Sequence, residues 1–370
     1  MKKGSLTRSR TVIWSGATAK SCIFHLPVVL TTLLGLPLLA SAHVKWFAPE
    51  EPEQLVQVSQ FSFTEPWVRI WVGIILICIT MALLLERYLP NPPEKLVAFA
   101  QNRRQQALHL LQALVGLALL LTAVKGSILA PHLSEESLFG LLLRFVQGGI
   151  GVLFIANLAV RLGAVLMVGL FLASAGLFGF ITSMEYFNFL GIALFLLLQA
   201  APDDRVRSYA LPVLRVQTGI ALGVLAWTEK LIDPNLAVRF LEKNQLNFML
   251  SLGENIFTDR VFVLCAGCTE FIFAIIFTLG LITRINSLAI AGFLVSSNLY
   301  FFLVGKADEG FMELSGHLPL IAVAVLLILY GGGSRLCLAN LFSRKTQLVT
   351  DPQGPPQGCE NTYDLLPRPQ

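Results

Sequence analysis

Long apolar runs, broken by short polar segments, recur along most of the chain. They fall at about 67–86, 108–130, 138–158, 162–182, 187–201, 211–231, 260–282, 286–304 and 317–332, most of them near the roughly 20 residues that span the hydrocarbon core of a bilayer as a helix. The run at 187–201 is short. An earlier apolar stretch, "IFHLPVVLTTLLGLPLLASA", follows a basic start with Lys2, Lys3, Arg8, Arg10 and Lys20. It ends in Ala40-Ser41-Ala42, a small-residue cleavage pattern. A signal peptide over 1–42 is expected, with a retained first transmembrane helix as the alternative. The polar segment "YLPNPPEKLVAFAQNRRQQA" reads as a Pro-bearing linker, and the Pro- and Gln-rich tail over 338–370 as disordered.

Composition supports this pattern. The chain is 55% hydrophobic and only 14% charged, and its mean hydropathy is +0.70. A soluble domain of this length carries far more charge. The expected class is an all-α integral membrane protein with the lipid bilayer as its first partner. The net charge of +4 is small, so it reads as topology bias and not as a nucleic-acid footprint. The basic residues alternate from one inter-helix segment to the next. Arg87, Lys95, Arg103, Arg104, Arg161, the 203–207 loop, Arg284, Arg335, Arg344 and Lys345 fall on one side. "HVKWFAPEEPEQ", "PHLSEES", the 232–259 segment and "GKADEGFMELSG" fall on the other. Basic segments stay in the cytoplasm. This predicts a multi-pass protein of a bacterial inner membrane with a cytoplasmic carboxyl terminus.

The last eight runs read as one four-helix unit twice. Gln112 to Lys125 and Gln217 to Lys230 have the same spacing, and so do Gln147 to Arg161 and Glu270 to Arg284. Gly169 and Gly292 lie equally far beyond their arginines. "LGIALFLLLQAAPDDR" aligns with "LIAVAVLLILYGGGSR" without a gap. Four helices per unit restore the chain's orientation, so the repeat is parallel. The expected organisation is 1–42 as above, 43–107 with an outer segment, one helix and a linker, 108–207 and 208–337 as the two units, and 338–370 as the tail. The 232–259 segment is long enough to suggest a functional or partner site.

"GVLAWTEKLIDP", "CAGCTEFIFAIIFTLGLITR" and "LILYGGGSR" together resemble the DoxX-like family of four-helix membrane proteins. The resemblance covers about 211–335 well and 108–207 weakly, where Gln147 stands for the membrane glutamate. It implies tandem four-helix bundles. It also implies kinship with membrane subunits of thiosulfate:quinone oxidoreductases and with partners of oxidative-stress enzymes.

Glu270 falls about ten residues into its helix, a depth where ionisable groups are rare and face a bundle interior or a cavity. It reads either as a proton or quinone site or as a structural carboxyl. Arg144, nearer its helix end, reads as structural, and the repeat alignment suggests that it meets Glu270 across the two units. Glu229 and Lys230, beside Trp227, and Lys125 at the matching place read as interfacial anchors or as parts of a site. Cys265 and Cys268 are the only two of six cysteines close in sequence. At i and i+3 they share a helix face, which suits either a redox pair or packing, while Glu270 points off that face. His43, His132 and His317 all fall on the predicted outer side and are candidate metal ligands. Gly331–Gly333 follows a helix and reads as its stop, not as a phosphate loop. The expected function is a membrane subunit or accessory protein of a redox system, with a redox protein subunit as partner. It would act on quinone or on thiol and sulfur equivalents at the outer side. The alternative is a non-enzymatic scaffold or transport module that holds a partner through 232–259.

Overall fold

The computed structural model describes residues 45, 59–89, 92–251, 253, 256–333 and 335–338. The expected signal peptide or first helix, His43 and the chain from 339 onward lie outside the described residues. Among the described residues the fold is all-α, with one isolated bridge between Ser127 and Ser134. Among these described residues, eight helices are long and apolar enough to cross a membrane.

In chain order the elements are α1 (Pro66–Tyr88), α2 (Glu94–Asn102), α3 (Arg104–Val124), α4 (Leu138–Ile155), α5 (Val160–Phe178), α6 (Phe180–Met184) and α7 (Phe187–Gln199). There follow α8 (Asp204–Arg207), α9 (Ala210–Ala226), a π-helical turn (Trp227–Ile232), α10 (Asn235–Asn244), α11 (Phe248–Ser251), α12 (Asp259–Leu279), α13 (Thr283–Leu303) and α14 (Ala307–Tyr330). Several segments expected to be loops or linkers are partly helical: the linker before α3 holds α2 and the 203–207 loop holds α8. α14 begins ten residues before the apolar run at 317, because Glu313, Ser315 and His317 are polar yet buried inside the bundle. The 232–259 segment contains α10, whose Ala237, Val238, Phe240 and Leu241 pack with Phe262 and Phe301.

The long helices form two sets. α3, α4, α5 and α7 pack in succession, as do α9, α12, α13 and α14. The sets join mainly at two places, α7 against α9 and α14 against α3, with a smaller contact between α7 and α14. The first helix of each set thus meets the fourth helix of the other, the arrangement of a pseudo-two-fold.

Local details repeat at matched positions. Before Arg161, Asn157 and Ala159 take φ of 52° and 44°; at the same distances before Arg284, Gly280 and Ile282 take 73° and 35°. Left-handed backbone costs a non-glycine residue about 1–2 kcal/mol, so its appearance in both sets marks a shared corner. The corner lets each arginine reach the end of its own set's fourth helix. Arg161 Nη2 donates to Ala200 O at 3.0 Å, and Arg284 Nε donates to Ile328 O at 3.1 Å. These bonds satisfy terminal helix carbonyls that have no intrahelical partner.

The first two helices of each set also meet in the same way. A Cβ on Gly116 would lie 2.6 Å from Gly151 O, and one on Gly219 would lie 2.9 Å from Ala274 O and 2.5 Å from Thr278 Oγ1. Small residues let membrane helices approach this closely. Lys125 stands nine residues after Gly116, but Lys230 stands eleven after Gly219. Gln112 and Gln217 stand equally far before these lysines, so the glycine contacts and the glutamine–lysine spacing do not share one register; the second set has a π-helical turn here and the first does not. Lys125 is left exposed, whereas Lys230 is carried into the bundle.

α1 stands outside the two sets and lies along α12. At its start Glu65 accepts from Arg260 Nη1 and Nη2 at 2.6 and 2.8 Å. These hydrogen bonds hold the Glu65 carboxyl below the usual carboxylate range. Near its other end Glu86 accepts from Ile282 N. At that same end of the bundle Arg215 is wholly buried and donates to Leu336 O at 2.7 Å.

The glycine contacts make a prediction. Gly116→Val and Gly219→Val should each lower stability by about 1–3 kcal/mol through overpacking. Gly73→Val, where a Cβ meets nothing within 4 Å, should leave it unchanged. Thermal unfolding in detergent, followed by circular dichroism, checks both.

Candidate functional site

The π-helical turn and α12 bring together two charged side chains forty residues apart. Lys230 Nζ donates to both carboxyl oxygens of Glu270, each at 2.7 Å. The lysine side chain is 3% exposed and the glutamate 11%. Gly267, one turn before Glu270, makes room for the approach: a Cβ there would lie 2.9 Å from Lys230 Cβ. A buried ion pair of this kind is held by geometry and its further hydrogen bonds, because the desolvation of both charges offsets much of their attraction.

The pair opens on a cavity of about 30 Å³. Its walls are mostly apolar and include Leu222, Leu225, Phe273, Phe293 and Leu294, with His317 of α14 as the third polar group. A water needs about 10–15 Å³ of such space, so the cavity has room for one or two. An ammonium group has three donors. Two go to Glu270, which leaves one for a molecule in the cavity. His317 is itself placed by its neighbours. Its Nδ1 lies 3.0 Å from Asn298 Nδ2, and its Nε2 lies 3.6 Å from Glu313 Oε1. Glu313 precedes it by one helical turn, and both are buried.

A second polar group lies at the junction of the two sets. Glu185, in the turn between α6 and α7, accepts from Lys45 Nζ and, at 2.7 Å, from Thr228 Oγ1. Glu229, on the same π-helical turn as Lys230, is buried within electrostatic reach of Glu185, Lys45, Lys230 and Glu270. This layer therefore gathers the carboxyl groups of Glu185, Glu229, Glu270 and Glu313 with the ammonium groups of Lys45 and Lys230.

The first set has a neutral counterpart. Gln147, at the place of Glu270, donates from Nε2 to Thr122 Oγ1 at 2.8 Å and to Leu119 O at 3.0 Å. Its Oε1 accepts from Leu129 N at 2.8 Å. One amide thus ties α4 to the end of α3 where the second set uses an ion pair. Arg144 does not meet Glu270. Its Nη1 donates to Gly126 O at 3.1 Å, within its own set. The reason is the ring-like order of the helices: the sets join through their first and fourth helices, not through α4 and α12, which carry these two residues.

Cys265 and Cys268 are free, buried thiols on the face of α12 that packs against α1. Trp71 Nε1 lies 3.2 Å from Cys265 Sγ, and Cys268 packs with Val68 and Leu264. They are not brought to Glu270. The histidines are also apart in role. His132 stacks beside Tyr186, with ring centroids 5.9 Å apart, and burial pushes its imidazole down to about 4. His317 belongs to the cavity. Among the described residues no three His, Cys, Asp or Glu side chains gather as a metal site.

On the other face of the α9–α12 contact lies an open apolar groove of about 410 Å³, lined by Gly219, Gly223, Trp227, Phe271, Ala274 and Thr278 among others. No charged side chain lines it.

No protein-family model, curated protein or solved structure matches the chain.

Removing one partner of the buried pair leaves the other charge uncompensated. Lys230→Met or Glu270→Gln alone should therefore cost about 3–5 kcal/mol, and the double variant less than their sum. A double-mutant cycle on unfolding in detergent checks this; strict additivity would mean that the two side chains do not interact.

Proposed function

We propose that the chain is a membrane subunit or accessory protein of a redox system, in which the Lys230–Glu270–His317 site exchanges protons with the chemistry of a quinone in the bilayer. The observation that carries this reading is the buried Lys230–Glu270 pair opening on a cavity within the membrane-spanning helices. Ionisable groups at such depth mark ion or proton pathways more often than plain packing.

Reduction of a quinone takes up two electrons and two protons, so a group that stores and returns protons beside it has a task. The groove, and not the small cavity, has room for such a molecule. The groove between α9 and α12 has the volume and apolar walls for a ring or an isoprenoid tail. The small cavity on the inner face suits water and carries the donors and acceptors. The thiol-based reading has less support, since Cys265 and Cys268 face α1 and not this site.

The resemblance to DoxX-like proteins belongs to this proposal, as do a bacterial inner membrane, an outer-facing site and a redox partner subunit. A second reading, a scaffold that holds a partner, draws on α10. That helix buries an apolar face and leaves Glu242 and Lys243 exposed.

The redox reading predicts that the infrared signature of the Glu270 carboxyl, assigned as the band lost in Glu270→Gln, shifts when a short-chain quinone added to purified protein in nanodiscs is reduced to the quinol. Quinone and a redox subunit should co-purify on gentle extraction. A Glu270 band indifferent to the redox state, with neither quinone nor redox subunit retained, would favour the scaffold.

A further inference from the structure

The cavity beside Glu270 has a neighbour. A second chamber, of about 10 Å³, is lined by Glu185, Tyr186 and Asn188 of the first set and by Gly316 of α14. Leu222, Leu225 and Leu320 wall both chambers. Only these three side chains, two from α9 and one from α14, are common to the two linings. The larger chamber has room for about one or two waters and the smaller for about one. One end of the pair of chambers holds Glu270, and the other holds Glu185.

Glu185 differs from Glu270 in its outlet. Its carboxyl is 1% exposed, but the Lys45 side chain bonded to it is 26% exposed. It therefore sits one side chain from solvent or the headgroup layer. The groups that face it are Lys45 from the segment before α1, and Thr228 and Glu229 from the π-helical turn. His132 stands behind the adjacent Tyr186. The α14 wall contributes only Gly316 and Leu320, which are uncharged. Glu185 thus has a cation at its outer side, an acceptor-rich neighbour at its inner side and a water-sized chamber beside it.

We propose that Glu185 is the proton entrance of the Glu270 site. A proton from bulk water passes to the Glu185 carboxylate at the Lys45 side, then to water in the smaller chamber. When the shared leucine wall lets the two chambers touch, it passes to water beside Glu270 and onto that carboxylate. No electron moves, and each carboxyl returns to its starting state once its proton has been passed on. The leucines make the transfer conditional, since rotation of Leu222 or Leu225 joins or parts the chambers. Glu185 is a relay and positioning residue and does not touch a substrate. This inference rests on the reading that Glu270 exchanges protons, but not on what chemistry consumes them.

The test is a pH jump on the full-length protein in lipid nanodiscs, followed by rapid-scan infrared spectroscopy at the Glu270 band. The wild type should respond quickly. Glu185→Gln should reach the same final band amplitude about tenfold or more slowly, the scale of a lost proton-transfer group. Leu222→Phe, which fills the shared wall and leaves Glu185 and Lys45 in place, should slow the response in the same way. Glu185→Asp should restore much of the rate, which a merely structural defect would not do. An unchanged rate in folded Glu185→Gln overturns the proposal while leaving the proton-exchange reading intact. Should that variant not fold, an unchanged rate in Leu222→Phe overturns it instead. A Glu270 band that responds to no pH change removes both.

Discussion

Inside a bilayer a polar side chain has only protein to bond with, and in both four-helix sets that requirement is met between the second helix and the end of the first. In the first set Gln147 meets it with a neutral amide shared among Thr122, Leu119 and Leu129. In the second set Glu270 meets it with Lys230. The two solutions occupy matched positions, and the close helix contacts below them, at Gly116 and Gly219, are the same. What differs is the π-helical turn of the second set, on which Lys230 is buried beside Glu270, where the first set leaves Lys125 exposed. A structural tie in one set is a charged site in the other.

The rest of the site follows from that difference. A buried ammonium group calls for carboxyl groups, and the layer supplies them from α12, from the turn before α7 and from the π-helical turn itself. His317 and Glu313 enter from α14, which the other set's first helix also contacts. The site is therefore assembled from both sets even though its central pair lies within one. At the opposite end of the bundle the arginines have a different task. Arg161 and Arg284 donate to backbone carbonyls at helix ends, Arg215 donates to Leu336 O in the turn beyond α14, and Gly280 leaves the space that Arg215 fills.

Much of this was legible in the sequence, and the omissions have physical causes. The helices could be read because lipid-facing surfaces must be apolar. The repeat could be read from Gln147, Glu270, Arg161 and Arg284, whose spacing survives because each pays a fixed geometric role in its set. The start of α14 was missed because Glu313 and His317 turn inward, so a hydropathy window takes a buried polar face for an outer loop. Lys230 reads either as a headgroup anchor or as part of a site, and its burial beside Glu270 comes with a π turn, which leaves no sign in hydropathy. Its partner was expected to be bonded to Arg144, since alignment shows which positions correspond but not which helices touch. Glu185 had no signal beyond its aromatic neighbours, and its importance rests on contacts with residues forty-three and one hundred and forty positions away.

The site stands on a buried contact between Lys230 and Glu270 in the bilayer. Solid-state nuclear magnetic resonance on the protein in lipid, with ¹⁵N-labelled lysine and ¹³C-labelled glutamate, tests it directly. A through-space correlation between a lysine Nζ and a glutamate carboxyl carbon should appear, and should disappear in Lys230→Met and in Glu270→Gln. A spectrum in which neither substitution removes a correlation, with Lys230 responding to headgroup labels instead, would contradict it.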